Sequence, residues 1–208
     1  MVSVHGGTIR TQELIGGAMK KQVTPKLQFH PVTPERLPDL MQFSEQHGKF
    51  RYCSCMRWRM KSTEFQRSTK EGRVAALESL VRQNTPVGLL AYADGKPVGW
   101  CSIAPRETYE ALERYRALSR IDNKPVWSVA CFFVDRHFRR QGVTLGLLQA
   151  AVKYAKAQGA KIVEGYPVEP DATLYTYMGS PATFRKAGFR EVTPVRQARL
   201  VMRYLVKE

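Results

Sequence analysis

The chain has 208 residues, 43% of them hydrophobic, which is the size of one domain with enough apolar material for a substantial core. No apolar run approaches the roughly 18 residues of a membrane span, and the N-terminal stretch lacks the apolar core of a secretory signal. No membrane-spanning helix and no membrane partner are expected, and the cytoplasm is the expected compartment. Lys and Arg outnumber Asp and Glu by 33 to 18, and the net charge of +15 is spread from Lys20 to Lys207 without a block, pointing to anionic partners without naming one.

Met1 to Ala18 shows little periodicity and reads as an N-terminal extension, with a single folded domain expected over 19–208. A strand is predicted near 27–31, a helix over 34–47 and a helical pair across 51–83. Strands 87–93 and 97–104 flank Asp94-Gly95, a strong hairpin signal. A helix over 106–119, a strand over 126–134, a helix over 141–158 and a strand over 161–167 follow. A short helix at 180–187 and strands at 188–193 and 198–206 complete the order. Strands alternating with helices argue for an α/β (α+β) domain with a mixed sheet and helices on its faces. The strand from Leu200 to Val206 alternates in character and reads as an exposed sheet edge, a pairing surface for a homodimer.

The most informative junction lies between 126 and 158. Val126, Trp127, Val129, Phe132, Phe133 and Val134 form a β-branched and aromatic run apolar enough to be covered on both faces. Val143, Leu147, Leu148, Ala151, Val152 and Ala155 then recur at helical spacing. Between them stand Arg139, Arg140, Gln141 and Gly142. Gly142 admits a bulky anion close to the backbone, the free N–H groups of the helix start point at it, and the macrodipole adds roughly half a positive charge. Gly146, one turn on, permits another close approach. This is a phosphate cradle.

The run from Val134 to Leu148 resembles the acetyl-CoA signature of the GNAT superfamily of N-acetyltransferases, Arg/Gln-x-x-Gly-x-Gly/Ala after a strand, with Arg139, Gly142 and Thr144 in the three places. Thr144 departs from the usual small residue, although its hydroxyl is able to reach a phosphate oxygen. Lys186-Ala187-Gly188-Phe189-Arg190-Glu191-Val192 resembles the family's segment in which a short helix ends at Gly-Phe and a strand begins. Asp94-Gly95-Lys96-Pro97-Val98-Gly99 resembles its hairpin before the central strands. Singly, each has a plainer reading: Gly188 as a helix C-terminal glycine, Gly95 as a hairpin turn. Their order carries the resemblance.

The resemblance implies a GNAT fold: a central mixed, mostly antiparallel sheet, helices on both faces, and a parallel strand pair, 126–134 and 161–167, that splays apart at its ends. It implies acetyl-CoA as acyl donor and direct transfer to a primary amine of a small molecule or peptide. Backbone groups of Phe132, Phe133 and Val134 are expected to bond pantetheine and polarise the thioester carbonyl, with Arg139, Arg140, Gln141, Gly142, Val143 and Thr144 around the pyrophosphate.

Proton handling departs from the family. The strand 126–134 carries no carboxylate, and the nearest acid, Glu164, shares a face with Ile162 and Tyr166. It is either a desolvated general base or the partner of an arginine. Phe184 stands where the family has its tyrosine acid, along the donor but without a hydroxyl. Tyr177 is the alternative acid, or else lines the pocket; Ser180 competes, although its simpler role is to cap the helix that follows.

For the acceptor, the resemblance points to Arg51 to Met60, rich in Arg, aromatics and Met. Tyr52 and Trp58 there, with Arg106 and Tyr166, are the substrate-binding candidates, for a flat or acidic acceptor; packing the core is the competing account of the aromatics. The charge leaves open an RNA- or ribosome-associated acetyltransferase, although no nucleic-acid-binding motif is present. It argues against a polycationic acceptor, and a non-catalytic acyl-CoA binder is a further alternative. Cys53, Cys55, Cys101 and Cys131 are too few for a disulfide framework, and no His pair completes a zinc site with Cys53-Ser54-Cys55, so no metal is expected.

Overall fold

A computed structural model of the protein describes residues 26–194 and 197–207, without the side chains of Lys49, Arg51 and Tyr52. The expected extension over 1–18 lies outside the described residues. Strands β1 (Leu27–Pro31), β2 (Leu89–Ala93), β3 (Lys96–Pro105), β4 (Trp127–Val134), β5 (Ile162–Gly165), β6 (Arg190–Glu191) and β7 (Met202–Leu205) form one seven-stranded sheet in the order β1-β2-β3-β4-β5-β7-β6. All neighbours are antiparallel except β4 and β5. The hairpin between β2 and β3 turns on Asp94 and Gly95, at φ 47° and 76°, the positive pair that suits the strand twist. Between β4 and β5 the chain returns through a long helix, which a parallel neighbour requires.

That helix, α6 (Val143–Ala157), buries Val143, Leu147, Leu148, Ala151 and Ala155 on one face of the sheet, against Ala91, Cys101, Val129 and Val163. Gly146 meets the Phe29 ring, so the close approach expected there is made by β1: a Cβ on Gly146 would lie 2.4 Å from that ring. On the opposite face, α1 (Leu37–Gln46), α2 (Gly48–Cys53) and α4 (Lys70–Arg82) pack Leu40, Phe43, Phe50, Leu77 and Val81 against Leu90 and Trp100. Helix α3 (Ser62–Arg67) precedes α4, and α7 (Pro181–Lys186) follows β5. A third cluster, Trp58, Tyr109, Leu112, Leu118, Ala130, Tyr166 and Met178, closes the same end of the molecule as the parallel pair.

Three sequence expectations are corrected. The predicted helix over 106–119 is broken into a 3₁₀ turn (Arg106–Thr108), a short α5 (Glu110–Glu113) and a second 3₁₀ turn (Arg116–Leu118). Arg106 and Tyr109 both turn inward to full burial, and the Ala111 N–H donates to the Trp58 carbonyl, so tertiary contacts override a helix-forming composition. The helical pair across 51–83 is three helices, because Ser54 and Cys55 take consecutive left-handed conformations and end α2. The strand expected as an exposed edge, β7, lies between β5 and β6 and is bonded on both sides, which removes it as the pairing surface for a dimer. Among the described residues no helix is long and apolar enough to cross a membrane.

Candidate active site

The parallel ladder is short. It pairs Trp127 with Val163, Ser128 with Glu164 and Val129 with Gly165, and there β5 ends while β4 runs on to Val134. Pro167 follows close behind and has no N–H to offer. Among the described residues, the β4 backbone from Ala130 to Val134 therefore has no strand on that side. Against β3, the register places Ser102 opposite Cys131 and Ile103 opposite Val129, leaving Ala130 as the extra residue of a bulge. The bulge sends Ala130 and Cys131 toward the α1 and α2 side in succession, while Phe132 and Val134 face α6. Phe184 is fully buried, its ring 6.2 Å from that of Phe132 and so close to Gly165 that a Cβ there would lie 2.1 Å from it. The ring wedges the place where the strands part.

The open edge of β4 leads to the cradle. Asp135 accepts from the His137 N–H at 2.8 Å, Arg139 Nε donates to the Val134 carbonyl at 3.1 Å and Gln141 Nε2 donates to the His137 carbonyl at 2.7 Å, so the loop is braced by its own side chains. Gln141 serves the loop here. Gly142 is the N-cap of α6 at φ 80° and supplies no side-chain cap, in contrast to Thr69 and Ser180, which cap α4 and α7. A Cβ on Gly142 would meet nothing, so the glycine answers the positive φ and leaves the first-turn N–H groups open. A cleft of about 360 Å³ lies there, lined by Arg139, Arg140, Gly142, Thr144, Thr183 and Lys186 among others. The Val143 side chain is in the core, so its N–H is what it has to offer. Thr183 and Lys186 were not legible in the sequence, because they arrive from α7 through the tertiary fold.

Glu164 sits in the interior, 1% exposed. One carboxylate oxygen accepts from Arg106 Nη1 and from the Tyr166 hydroxyl, both at 2.8 Å; the other accepts from Arg203 Nε at 2.7 Å. Arg106 further donates through Nε to Glu113, and Arg203 grips Asp122 through both terminal nitrogens. Ser128 of β4 joins at 2.7 Å from the Tyr166 oxygen. Of the two roles open to Glu164, this geometry is the arginine-paired one. It corrects the reading of Arg106 and Tyr166 as acceptor-binding residues: both are fully buried in the network and brace β3, β4, β5 and β7 from within.

Tyr177 lies on the 3₁₀ turn Thr176–Met178, which packs on β4. Burial, then the Cys131 and Cys53 thiols beside it, push its hydroxyl well above the usual tyrosine value. Trp58 is buried, and its Nε1 has no partner among the described residues. Around these gather Arg57, Tyr115, Tyr175 and Arg199, which the sequence reading did not single out. The Tyr52 side chain lies outside the described residues. Burial pushes the Cys53 thiol up to about 11 and holds Cys55 and Cys101 well above the ordinary range, so these cysteines are thiols at neutrality. Among the described residues no three His, Cys, Asp or Glu side chains converge to hold a metal ion.

Known proteins agree with this geometry. No curated protein matches the sequence. The fold matches solved structures at low identity: a polyamine N-acetyltransferase of Drosophila melanogaster (13% identity, TM-score 0.55, covering 87% of this chain and 100% of that one). A GNAT-family acetyltransferase of Listeria monocytogenes follows (11%, 0.54, 86% and 95%), with an aminoglycoside N-acetyltransferase solved with CoA (16%, 0.52, 82% and 92%). The family model of the GNAT acetyltransferases matches residues 52–177, from α2 through the open edge of β4 and the cradle to Tyr177. With more than half of its length matched and the splayed strand pair in place, the chain belongs to the GNAT acetyltransferase family.

Proposed function

We propose that the protein is an acetyl-CoA-dependent N-acetyltransferase that passes the acetyl group directly from thioester to the primary amine of a small molecule. The observation that carries this is the continuity of two features: the unpaired edge of β4 beyond Val129 ends at the uncapped start of α6. A chain of amides ending in phosphates fits such a groove, taking backbone bonds along β4 and N–H groups and cations at its far end. Two structural neighbours are named for small amines, polyamines and aminoglycosides, which supports a small-molecule acceptor over a peptide.

When bound, acetyl-CoA supplies an activated acyl carbonyl and a thiolate leaving group. Arg139, Arg140 and Lys186 hold its pyrophosphate together with the N–H groups of the first turn of α6, and Thr144 adds a hydroxyl. Backbone groups of Phe132 to Val134 orient pantetheine and polarise the carbonyl, an electrostatic stabilisation of the developing oxyanion. As the carbon–sulfur bond breaks, Tyr177, held protonated by its burial, donates to the departing sulfur, and the proton released from the acetylated nitrogen passes through solvent to restore the Tyr177 hydroxyl. Glu164 is committed to two arginines and keeps the strands in place rather than taking a proton. The amine must then enter neutral, so kcat/KM rises about tenfold per pH unit below the acceptor's own pKa.

Calorimetric titration with acetyl-CoA tests the reading. Micromolar binding is expected, weakened at least about tenfold in an Arg139→Ala, Arg140→Ala double variant, since each charge-assisted phosphate contact contributes on the order of 1 kcal/mol. Absence of binding to the native protein overturns it.

A further inference from the structure

Five buried side-chain polar atoms have no hydrogen-bond partner among the described residues, and three of them gather on the acceptor side of β4: Arg57 Nη1, Trp58 Nε1 and Arg199 Nη1. All three are donors. Aromatic rings surround them. Trp58 packs on Tyr115 and Tyr175 with centroids 5.5 and 5.8 Å apart, Tyr175 meets Tyr177 at 6.1 Å, and the Tyr115 and Tyr175 hydroxyls lie 3.2 Å apart. The Arg57 guanidinium lies 5.2 Å from the Trp58 ring centre and that of Arg199 4.5 Å from Tyr175. Tyr175, at the middle, holds a left-handed backbone at φ 62°, ψ 19°, a conformation that costs energy in a non-glycine residue and gathers at functional sites.

A buried donor without a partner marks a missing acceptor. Among the described residues no salt bridge reaches Arg57 or Arg199, whereas Arg106, Arg114, Arg120 and Arg203 all find carboxylates. The missing group is therefore an acceptor that the described residues do not supply, and two guanidinium groups favour one carrying negative charge. Tyr177 ties the cup to the transfer site, since its ring joins Tyr175 while its hydroxyl feels the Cys131 thiol of β4.

We infer that Arg57 and Arg199, with Trp58, Tyr115 and Tyr175, bind the acceptor through a carboxylate, so that the substrate is an amine carrying a carboxylate on an apolar or aromatic body, of the amino-acid type. The inference deepens the acetyltransferase reading and rests on it for the fate of the amine. A polycation, by contrast, meets two like charges here, which sets this chain apart from what its polyamine and aminoglycoside neighbours are named for.

The test uses matched pairs of amines: L-phenylalanine against phenethylamine, L-methionine against 3-(methylthio)propylamine, and 4-(aminomethyl)benzoate against benzylamine, with spermidine alongside. Binding is read by ligand-observed NMR without acetyl-CoA, and turnover by CoA release with it. At least one carboxylated member is expected to bind and to exceed its partner about tenfold in kcat/KM, because a site built around hydrogen bonds rejects the analogue that lacks them. An Arg57→Gln, Arg199→Gln variant should bring that ratio to within about twofold while acetyl-CoA affinity stays native; an Arg57→Lys, Arg199→Lys variant, which keeps the charge, should retain part of the preference. Preference for the decarboxylated partners or spermidine, equal treatment of each pair, or an unchanged ratio in the Gln variant overturns the inference even where acetyl-CoA binds normally. Binding of the carboxylated members in a protein that ignores acetyl-CoA would sink the acetyltransferase reading and leave the carboxylate site standing.

Discussion

Two pairs of arginines lie near the open end of the sheet and differ in what surrounds them. Arg106 and Arg203 are matched to Glu113, Glu164 and Asp122, with Tyr166 and Ser128 completing the network. Arg57 and Arg199 lie over aromatic faces, and each keeps a terminal nitrogen without a partner among the described residues. Taking a charge out of water costs several kcal/mol unless a counter-charge and hydrogen bonds offset it. The first pair carries that compensation within the chain and acts as a brace. For the second pair the rings offset part of the cost, about 0.5–2 kcal/mol per contact, Arg199 Nη2 adds a hydrogen bond to the Tyr166 carbonyl at 3.3 Å, and both side chains stay partly exposed to water.

The largest expected effect comes from breaking the brace. Glu164→Gln keeps the shape of the side chain but leaves Arg106 and Arg203 turned toward a neutral amide, with an expected loss of about 3–5 kcal/mol. Denaturant midpoints at constant slope measure it. Arg57→Gln should cost about 1–2 kcal/mol, because it removes two cation–π contacts, with Trp58 and Phe65, and an already unmet donor. Were Arg57→Gln as destabilising as Glu164→Gln, the cup would be packing and the contrast between the pairs would collapse.

The contrast also marks what the sequence could express. Local features were legible because they are closed by neighbours in the chain. At the end of α7, Gly188 takes φ 89°, its N–H reaches the Arg185 carbonyl at 2.9 Å, and the Phe189 N–H reaches that of Phe184 at 3.0 Å while the two rings pack at 5.0 Å. The Ala-Gly-Phe signature is thus a helix cap with its hydrophobic contact. The strand, basic turn and helix of the cradle are local in the same way. The brace is not: Glu164 draws Arg106 from 58 residues away and Arg203 from 39, so neither the burial of Arg106 nor the commitment of Glu164 is written near either residue. The cup is assembled from four separate stretches, and its tyrosines at 115 and 175 stand in polar surroundings that advertise no core. Alternation in the last strand is a local pattern, but which strands lie beside it is a property of the sheet alone.

Tyr177 sharpens the comparison within the acceptor half, between binding and chemistry. Tyr177→Phe removes the hydroxyl and keeps the ring that packs on Tyr175. As proton donor its loss should lower kcat about a hundredfold with little change in KM, a share of the barrier typical of general acid catalysis. Its raised value keeps it protonated through the assay range, so the native rate should rise with the neutral fraction of the amine and show no alkaline fall below about pH 10. A raised KM with kcat intact would make Tyr177 part of the pocket wall, alongside Trp58.

The smallest effect belongs to the outer rim of the brace and sets the acid limit of the fold. Burial tends to raise the Glu113 carboxyl, but hydrogen bonds from Arg120 and Arg106 prevail and hold it below the ordinary value; Asp122 is lowered first by its hydrogen bonds to Arg203. Both bind protons more weakly folded than unfolded. Their contribution is therefore complete above the unfolded carboxylate range of about 4 and is lost as pH falls through the lower folded values. Stability should be level across this contribution from about pH 5 to 8 and decline below about 4. Glu113→Gln should flatten that acid limb and cost about 1 kcal/mol or less at neutrality, because the side chain is 28% exposed and solvent screens the pair. The Arg57→Gln, Arg199→Gln variant has no carboxylate of its own to release and should follow the native acid limb unchanged. If its acid limb shifted with that of Glu113→Gln, the two arginine pairs would share their counter-charges, and the distinction between brace and cup would fall.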